Sequence, residues 1–322
     1  MKIFLPPLLE SKENFFPLRY CNIPRNVLKF LSEIYKITPI GGRKKLAVRQ
    51  NPRLYIKEVC IMSKKFTQSL HTHTFRCNHA SGSEREYIET AIAAGFTTLG
   101  FSDHTPYVFR DGYYSGFRMK PEQQYDYVLV LSALREEYKG KIDIKIGYEA
   151  EYYPEFFEDY MKLITRYPVD YLILGQHFIE NEMSGKYSGV SSDDEGYLKQ
   201  YVDQVIEGIS TGVFTYVAHP DLMNYTGSDV IFEKHYSRLI EHAKKMNIPL
   251  EINLLGIRDH RAYPHDRFFK LCGEIGAEVC IGSDAHQVNV TADMPSFEIA
   301  QEMIEKYNLK WNEHPALHEV KL

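Results

Sequence analysis

Nine side chains of this sequence have the type and placement to hold metal ions. His71 and His73 stand two apart in SLHTHTF, and His79 follows in the same loop. His104, Glu149, His177, His219, Asp284 and His286 each stand at or just beyond the end of an apolar run, in SDH, GYE, GQH, AHP and GSDAH. Residues two apart on a strand point the same way, so His71 and His73 can reach one ion. Taken alone the HxH pair is a weak signal, and a lone histidine at a strand end is more often a surface or hydrogen-bonding group. The joint pattern is different: seven of the 13 histidines fall in such positions, together with two carboxylates.

Nine ligands exceed the three or four that one catalytic zinc takes, and suit a cluster of two or three ions. Imidazole combined with carboxylate fits Zn, Mn or Fe better than Mg or Ca. The other histidines read as ordinary: His235 and His242 in a helical stretch, His260 and His265 in a loop, His314 and His318 in the tail. The five cysteines are odd in number and form no CxxC pair. That argues against a disulfide framework and a Cys-type zinc site, and for a reducing, cytoplasmic setting. Cys77 reads as a loop thiol.

Strand-like runs must carry these residues. They are expected at Phe66–His71, Thr97–Asp103, Ile142–Glu149, Val169–Gln176, Val213–His219, Ile248–Asn253 and Ala277–Ser283. Each is a short run rich in Val, Ile, Leu, Tyr, Phe or Thr, as a buried parallel strand should be. Amphipathic stretches lie between them, at Ser83–Ala94, Pro121–Tyr138, Asp194–Ser210, Ile231–Lys245 and Pro295–Tyr307. Gly95, Gly140, Gly212 and Gly276 supply the stops before strands. Alternating strands and helices predict parallel βα units, and a closed barrel of seven such units is favoured over an open sheet. In βα barrels the C-terminal strand ends carry the active site, which is where the candidate ligands fall.

Charge is unevenly spread. Residues 1–65 hold 14 Lys+Arg against 4 Asp+Glu, although the whole chain of 322 residues has a formal charge of −5. Residues 1–62 are therefore expected to lie outside the catalytic domain of 63–322. They read as an inert extension or as sequence upstream of a natural start at Met62; a basic arm for an anionic partner is the rival reading. The apolar stretch Ile3–Leu9 is short, broken by Pro6-Pro7 and followed by Glu10, so a signal peptide is not expected. No run of eighteen apolar residues appears, and no membrane span is expected.

The motifs HTHTFRCNH, SDHTP, GYEAEY, GQHF, AHPD and GSDAH occur in this order over about residues 66–310. Together they resemble those of the PHP (polymerase and histidinol phosphatase) superfamily, closest to its histidinol-phosphatases. The resemblance implies an α/β fold, a distorted (β/α)7 TIM-like barrel, with three divalent metal ions. It implies that His71, His73, Glu149 and Asp284 hold one ion, that Glu149 bridges to a second held also by His177 and His219, and that His79, His104 and His286 hold the third. The implied reaction is hydrolysis of a small phosphate ester, L-histidinol phosphate first, with no nucleic-acid or membrane partner.

Glu149 and Asp284 are the expected catalytic carboxylates, the first bridging, the second managing the proton of the attacking water. Arg258 follows the sixth strand, so its guanidinium fork should face the site and suit phosphate; an exposed loop arginine is the plain alternative. Arg261 is the next candidate. Arg118, in the loop 106–120, fits a lid less well than an ordinary loop position. Tyr107, Tyr113, Tyr114 and Phe117 of that loop could cover an imidazole ring or merely pack it down. Three rivals stand beside this reading. One is an amidohydrolase-type barrel, which would need a lysine at a strand end where Glu149 stands. Another is a PHP phosphoesterase for a nucleotide or other phosphate ester. The third is a metal-binding module without turnover.

Overall fold

The computed structural model describes residues 65–321, together with the backbone of one two-residue antiparallel pair, Phe15–Phe16 with Leu46–Ala47. Two compact units divide the chain, Met1–Lys65 and Phe66–Leu322. Apart from the short pair, the expected extension over 1–62 lies outside the described residues. The second unit carries every candidate ligand.

Eight parallel strands form one curled sheet in chain order. They are β1 (Gln68–Ser69), β2 (Thr98–Phe101), β3 (Asp143–Ala150), β4 (Tyr171–Leu174), β5 (Phe214–Val217), β6 (Leu250–Asn253), β7 (Glu278–Gly282) and β8 (Lys310–Trp311). The first seven fall within or overlap the expected strands. β8 is two residues in a polar tail, too short for periodicity to reveal, and it pairs with the start of β7.

The sheet curls until its first strand meets its seventh. Just beyond β1 and β7, Thr72 forms a parallel bridge with Ala285, and His73 N–H donates to the Ala285 carbonyl at 3.0 Å. Ser283 N–H donates to Ser69 Oγ at 3.0 Å. Closure therefore occurs at the C-terminal rim, where the candidate ligands stand. The result is the distorted (β/α)7 barrel, with β8 as an outer addition.

The interior is packed rather than hollow. Leu70, Tyr171, Ile173, Tyr216, Ala218 and Cys280 form a buried cluster inside the curl. Tyr171 Oη donates to the Leu70 carbonyl at 2.6 Å and lies 3.0 Å from that of Phe101, tying three strands together beneath the site. A larger apolar layer lies between the sheet and its helices.

The helices are α1 (Glu84–Ala94), α2 (Gln124–Glu137), α3 (Phe157–Ile164), α4 (Glu195–Ser210), α5 (Asp229–Met246), α6 (Leu254–Arg258), α7 (Asp266–Ile275) and α8 (Met294–Lys306). α1 begins in a capping box: Ser83 N–H donates to Glu86 Oε2 at 2.8 Å while Ser83 Oγ accepts from Glu86 N–H. Three helices, α3, α6 and α7, fall outside the stretches that the sequence marks most clearly. α6 springs directly from β6, with the Asn253 side chain accepting from Gly256 N–H at 3.0 Å, and so directs the chain across the rim. Among the described residues no helix is long and apolar enough to cross a membrane.

Candidate metal centre

All nine expected residues converge on the rim, and Glu149 is their hub. Its Oε2 lies 3.5 Å from His71 Nε2, 3.4 Å from His73 Nε2 and 3.1 Å from His104 Nδ1. Its Oε1 lies 2.8 Å from His219 Nε2 and 3.5 Å from His177 Nε2. The two oxygens of one carboxylate thus face two different sets of imidazoles. Asp284 Oδ1 adds to the first set, 3.5 Å from His71 Nε2, 3.3 Å from His73 Nε2 and 3.3 Å from His286 Nδ1.

A third group stands at the mouth. One ring nitrogen from each of His79, His104 and His286 lies within 4.8 Å of the other two. His286 Nε2 faces His79 Nε2 at 2.9 Å. Glu149, Asp284, His71, His73, His104 and His219 are buried, His177 and His286 are partly buried, and His79 is exposed.

The backbone is shaped to make this possible. His219 and Asp284 adopt left-handed φ values of 30° and 45°, rare for side chains that are not glycine. Two glycines clear the space behind the ligands. A Cβ on Gly175 would collide with Glu149 Oε1, and a Cβ on Gly282 would collide with Glu251 Oε1.

These residues fit a divalent cation. His71 Nε2, both ring nitrogens of His73, His104 Nδ1, His219 Nδ1 and Asp284 Oδ1 are buried without a hydrogen-bond partner. Buried polar atoms without partners are costly, and a crowd of imidazole lone pairs facing carboxylates is satisfied by cations between them. Electrostatics agree. Burial disfavours charge on Glu149 and Asp284, yet the surrounding histidines outweigh it and hold both carboxyls well below the usual range. Burial and neighbouring His286 push His73 down to about 3, so its ring is neutral and free to ligate.

Three residues that the sequence patterns did not mark support the cluster. Glu251 Oε1 accepts from His71 Nδ1 at 2.9 Å, which turns His71 Nε2 toward Glu149 and Asp284. Glu251 Oε2 accepts from His219 N–H at 3.0 Å and from Asn253 Nδ2 at 2.9 Å. Asn253 Nδ2 also donates to Asp284 Oδ2 at 3.0 Å. Glu151 Oε1 stands 2.8 Å from His177 Nδ1. The signal for Glu251 was available: an acid inside the short apolar strand β6 must be buried, and a buried acid needs a partner.

The centre lies in a cavity of ≈ 640 Å³ whose wall includes Phe117, Phe178, Tyr187, Arg258, Arg261 and Tyr263. Arg258 does face this cavity, though Nη1 is 2.9 Å from Asp293 Oδ2. Arg261 is more exposed, and its Nη1 donates to Tyr263 Oη at 3.1 Å. Of the four aromatics singled out in the loop 106–120, Phe117 lines the cavity, edge-on to His104 with centroids 5.3 Å apart. Tyr107 is buried under the loop, and Tyr113 and Tyr114 are partly exposed away from the cavity lining. Arg118 does not line the cavity; it is fully buried among carboxylates. Cys77 lies near His73 and His286, but burial pushes its thiol far up and it donates to the Thr74 carbonyl. The other six histidines lie outside the cavity lining; His235, for example, pairs with Glu195 and His265 caps α7.

The sequence matches the PHP domain over residues 69–255. It is 29% identical over 228 residues to a probable histidinol-phosphatase of Deinococcus radiodurans, covering 67% of this chain and 85% of that protein. It is 26% identical over 250 residues to the histidinol-phosphatase of Bacillus subtilis, covering 67% and 92%. The fold is similar to the crystal structure of histidinol phosphate phosphatase from Lactococcus lactis, complexed with zinc, L-histidinol and phosphate. There the TM-score is 0.61 at 20% identity, over 80% of this chain and 98% of that one.

Proposed function

The chain belongs to the PHP domain family, and from that premise we propose that it is a metal-dependent histidinol-phosphatase, converting L-histidinol phosphate and water to L-histidinol and phosphate. The observation that carries this reading is Glu149, whose two oxygens face separate histidine sets at the floor of one cavity. The names of the curated relatives supply the substrate.

His71, His73, Glu149 and Asp284 would hold one divalent ion; Glu149, His177 and His219 a second; His79, His104 and His286 a third. Zinc is the first choice, since the Lactococcus lactis enzyme was crystallised with it, and Mn and Fe suit the same donors. Bound there, such ions would acidify water to about pKa 7 and offset charge on the phosphoryl oxygens.

The chain's own groups do the rest. Asp284, which lines the cavity, orients the attacking water and manages its proton. Asn253 holds one oxygen of that carboxylate and fixes its plane. Arg258 and Arg261 present guanidinium nitrogens to the phosphate from the α6 side of the cavity. Phe117, Phe178 and Tyr187 give the cavity an aromatic wall against which the imidazole of the substrate packs.

The deciding experiment is phosphate release from a panel of esters that includes L-histidinol phosphate, with and without chelator. Metal-dependent release that favours L-histidinol phosphate is expected. A preference for a nucleotide would move the protein to another phosphoesterase of the family, and metal binding with no release from any ester would leave a module without turnover.

A further inference from the structure

Arg118 is among the largest fully buried side chains of the barrel. Every part of its guanidinium is engaged. Nε donates to Ser115 Oγ at 3.0 Å, and Nη1 donates to the Thr105 carbonyl at 2.6 Å. Nη2 stands 3.0 Å from Glu151 Oε2 and 2.8 Å from Glu182 Oε1. Three segments meet on this one group: the loop after β2, the end of β3, and the loop after β4.

Two of those contacts lead to candidate ligands. Glu151 uses its second oxygen on His177 Nδ1, at 2.8 Å. A carboxylate there selects the tautomer with hydrogen on Nδ1 and leaves the Nε2 lone pair facing Glu149 Oε1, 3.5 Å away. Thr105 directly follows His104, so the Nη1 contact fixes the chain where it leaves that ligand. The guanidinium also stacks on Phe117 at 4.6 Å, and Phe117 packs against Phe178 with centroids 6.1 Å apart. Both rings line the cavity.

Stability alone is a weak reason for such a cluster. A buried ion-pair triad gives little that well-packed apolar side chains would not, because desolvation offsets the attraction. A fixed orientation is what the planar fork adds. We propose that Arg118 is a positioning residue of the metal centre, acting through Glu151 on the His177 ring and through Thr105 on the strand end that carries His104. This inference rests on the metal-centre reading. By the same contacts the phenyl wall of the cavity is braced from behind by the group that orients the ligands.

The test is zinc(II) affinity of the full chain, measured by competition with a chromogenic chelator, for wild type, R118K, E151Q and E182Q. Circular dichroism and cooperative thermal unfolding check the fold of each. Lysine keeps the charge but cannot span the two carboxylates, Ser115 and the Thr105 carbonyl. Glu151→Gln keeps the shape but weakens the acceptor for His177. Glu182 touches Arg118 but no histidine, so E182Q is the control. Folded R118K and E151Q should each bind one zinc ion about tenfold or more weakly. E182Q should stay within about twofold of wild type, well inside that tenfold effect. In turnover of L-histidinol phosphate, E151Q should lower kcat more than it raises KM, whereas a merely structural role would lower only the unfolding temperature. Wild-type zinc affinity in folded R118K or in folded E151Q overturns the proposal, and E151Q decides alone if R118K does not fold. If wild type itself binds no zinc, the metal-centre reading falls and this inference with it; if wild type binds and E151Q matches it, only the inference falls.

Discussion

The floor and the mouth of the cavity use the same residue types but support them differently. On the floor, His71 is backed by Glu251, His219 has its backbone held by the same carboxylate, and Asp284 is held by Asn253. All three are buried. At the mouth, His79 is backed only by the Cys77 carbonyl at 2.7 Å, and its ring is exposed. His286 leans on Asp284, which already serves the floor. Charged partners inside a low-dielectric shell orient a ring more firmly than a neutral carbonyl in contact with water. Were the three proposed ions bound, they would therefore not be held alike: the inner pair should bind tightly, and the outer one should exchange.

The largest effect should come from the group that joins the two floor sets. Glu149→Gln should lower turnover about 10³-fold or more with the fold retained, read by phosphate release and circular dichroism. Near-normal turnover would remove the bridging role and with it the contrast between floor and mouth. Next comes the support beneath the floor. Glu251→Gln should cost about 10–100-fold in activity or zinc affinity although it touches no substrate, because His71 loses its carboxylate partner. If titration with zinc shows no loss, the floor is no better supported than the mouth. Arg258→Ala should raise KM about tenfold and leave kcat nearly unchanged, since a charged hydrogen bond to phosphate is worth about 1.5–3 kcal/mol. An unchanged KM takes Arg258 out of the site. The smallest change should be at the mouth: His79→Ala should weaken only the most easily removed ion, since water can replace an exposed ligand. Under graded chelator, wild type should lose metal in at least two phases, and a single phase would erase the distinction between floor and mouth.

Much of the floor and mouth could be read from the residues alone, and for one reason. Strand ends on one rim of a βα barrel converge, so a histidine or acid that closes an apolar run has a defined destination. The order of the strands followed from the alternation, and so did the stops at Gly95 and Gly276, which cap α1 and α7. The supports were less legible. Glu151 lies two residues past Glu149, where a polar residue leaving a strand is ordinary. Arg118 has the look of a loop charge because its two carboxylate partners stand 33 and 64 residues further along the chain. Asn253 ends β6 and caps α6 at once, and neither role shows in residue type. Such contacts depend on how the loops return to the rim, which strand periodicity does not specify.

The left-handed backbone at His219 and Asp284 has a consequence for descent. Holding two non-glycine residues in that region costs about 1–3 kcal/mol each, although histidine and aspartate are among the side chains that tolerate it best. Glycine accepts that geometry at no steric cost. While turnover is under selection, both positions stay as they are. In a lineage that had lost the activity, these two sites would be free to drift toward glycine, while the apolar layers beneath stayed unchanged. Their identity in a related chain is therefore a gauge of whether the centre is still in use.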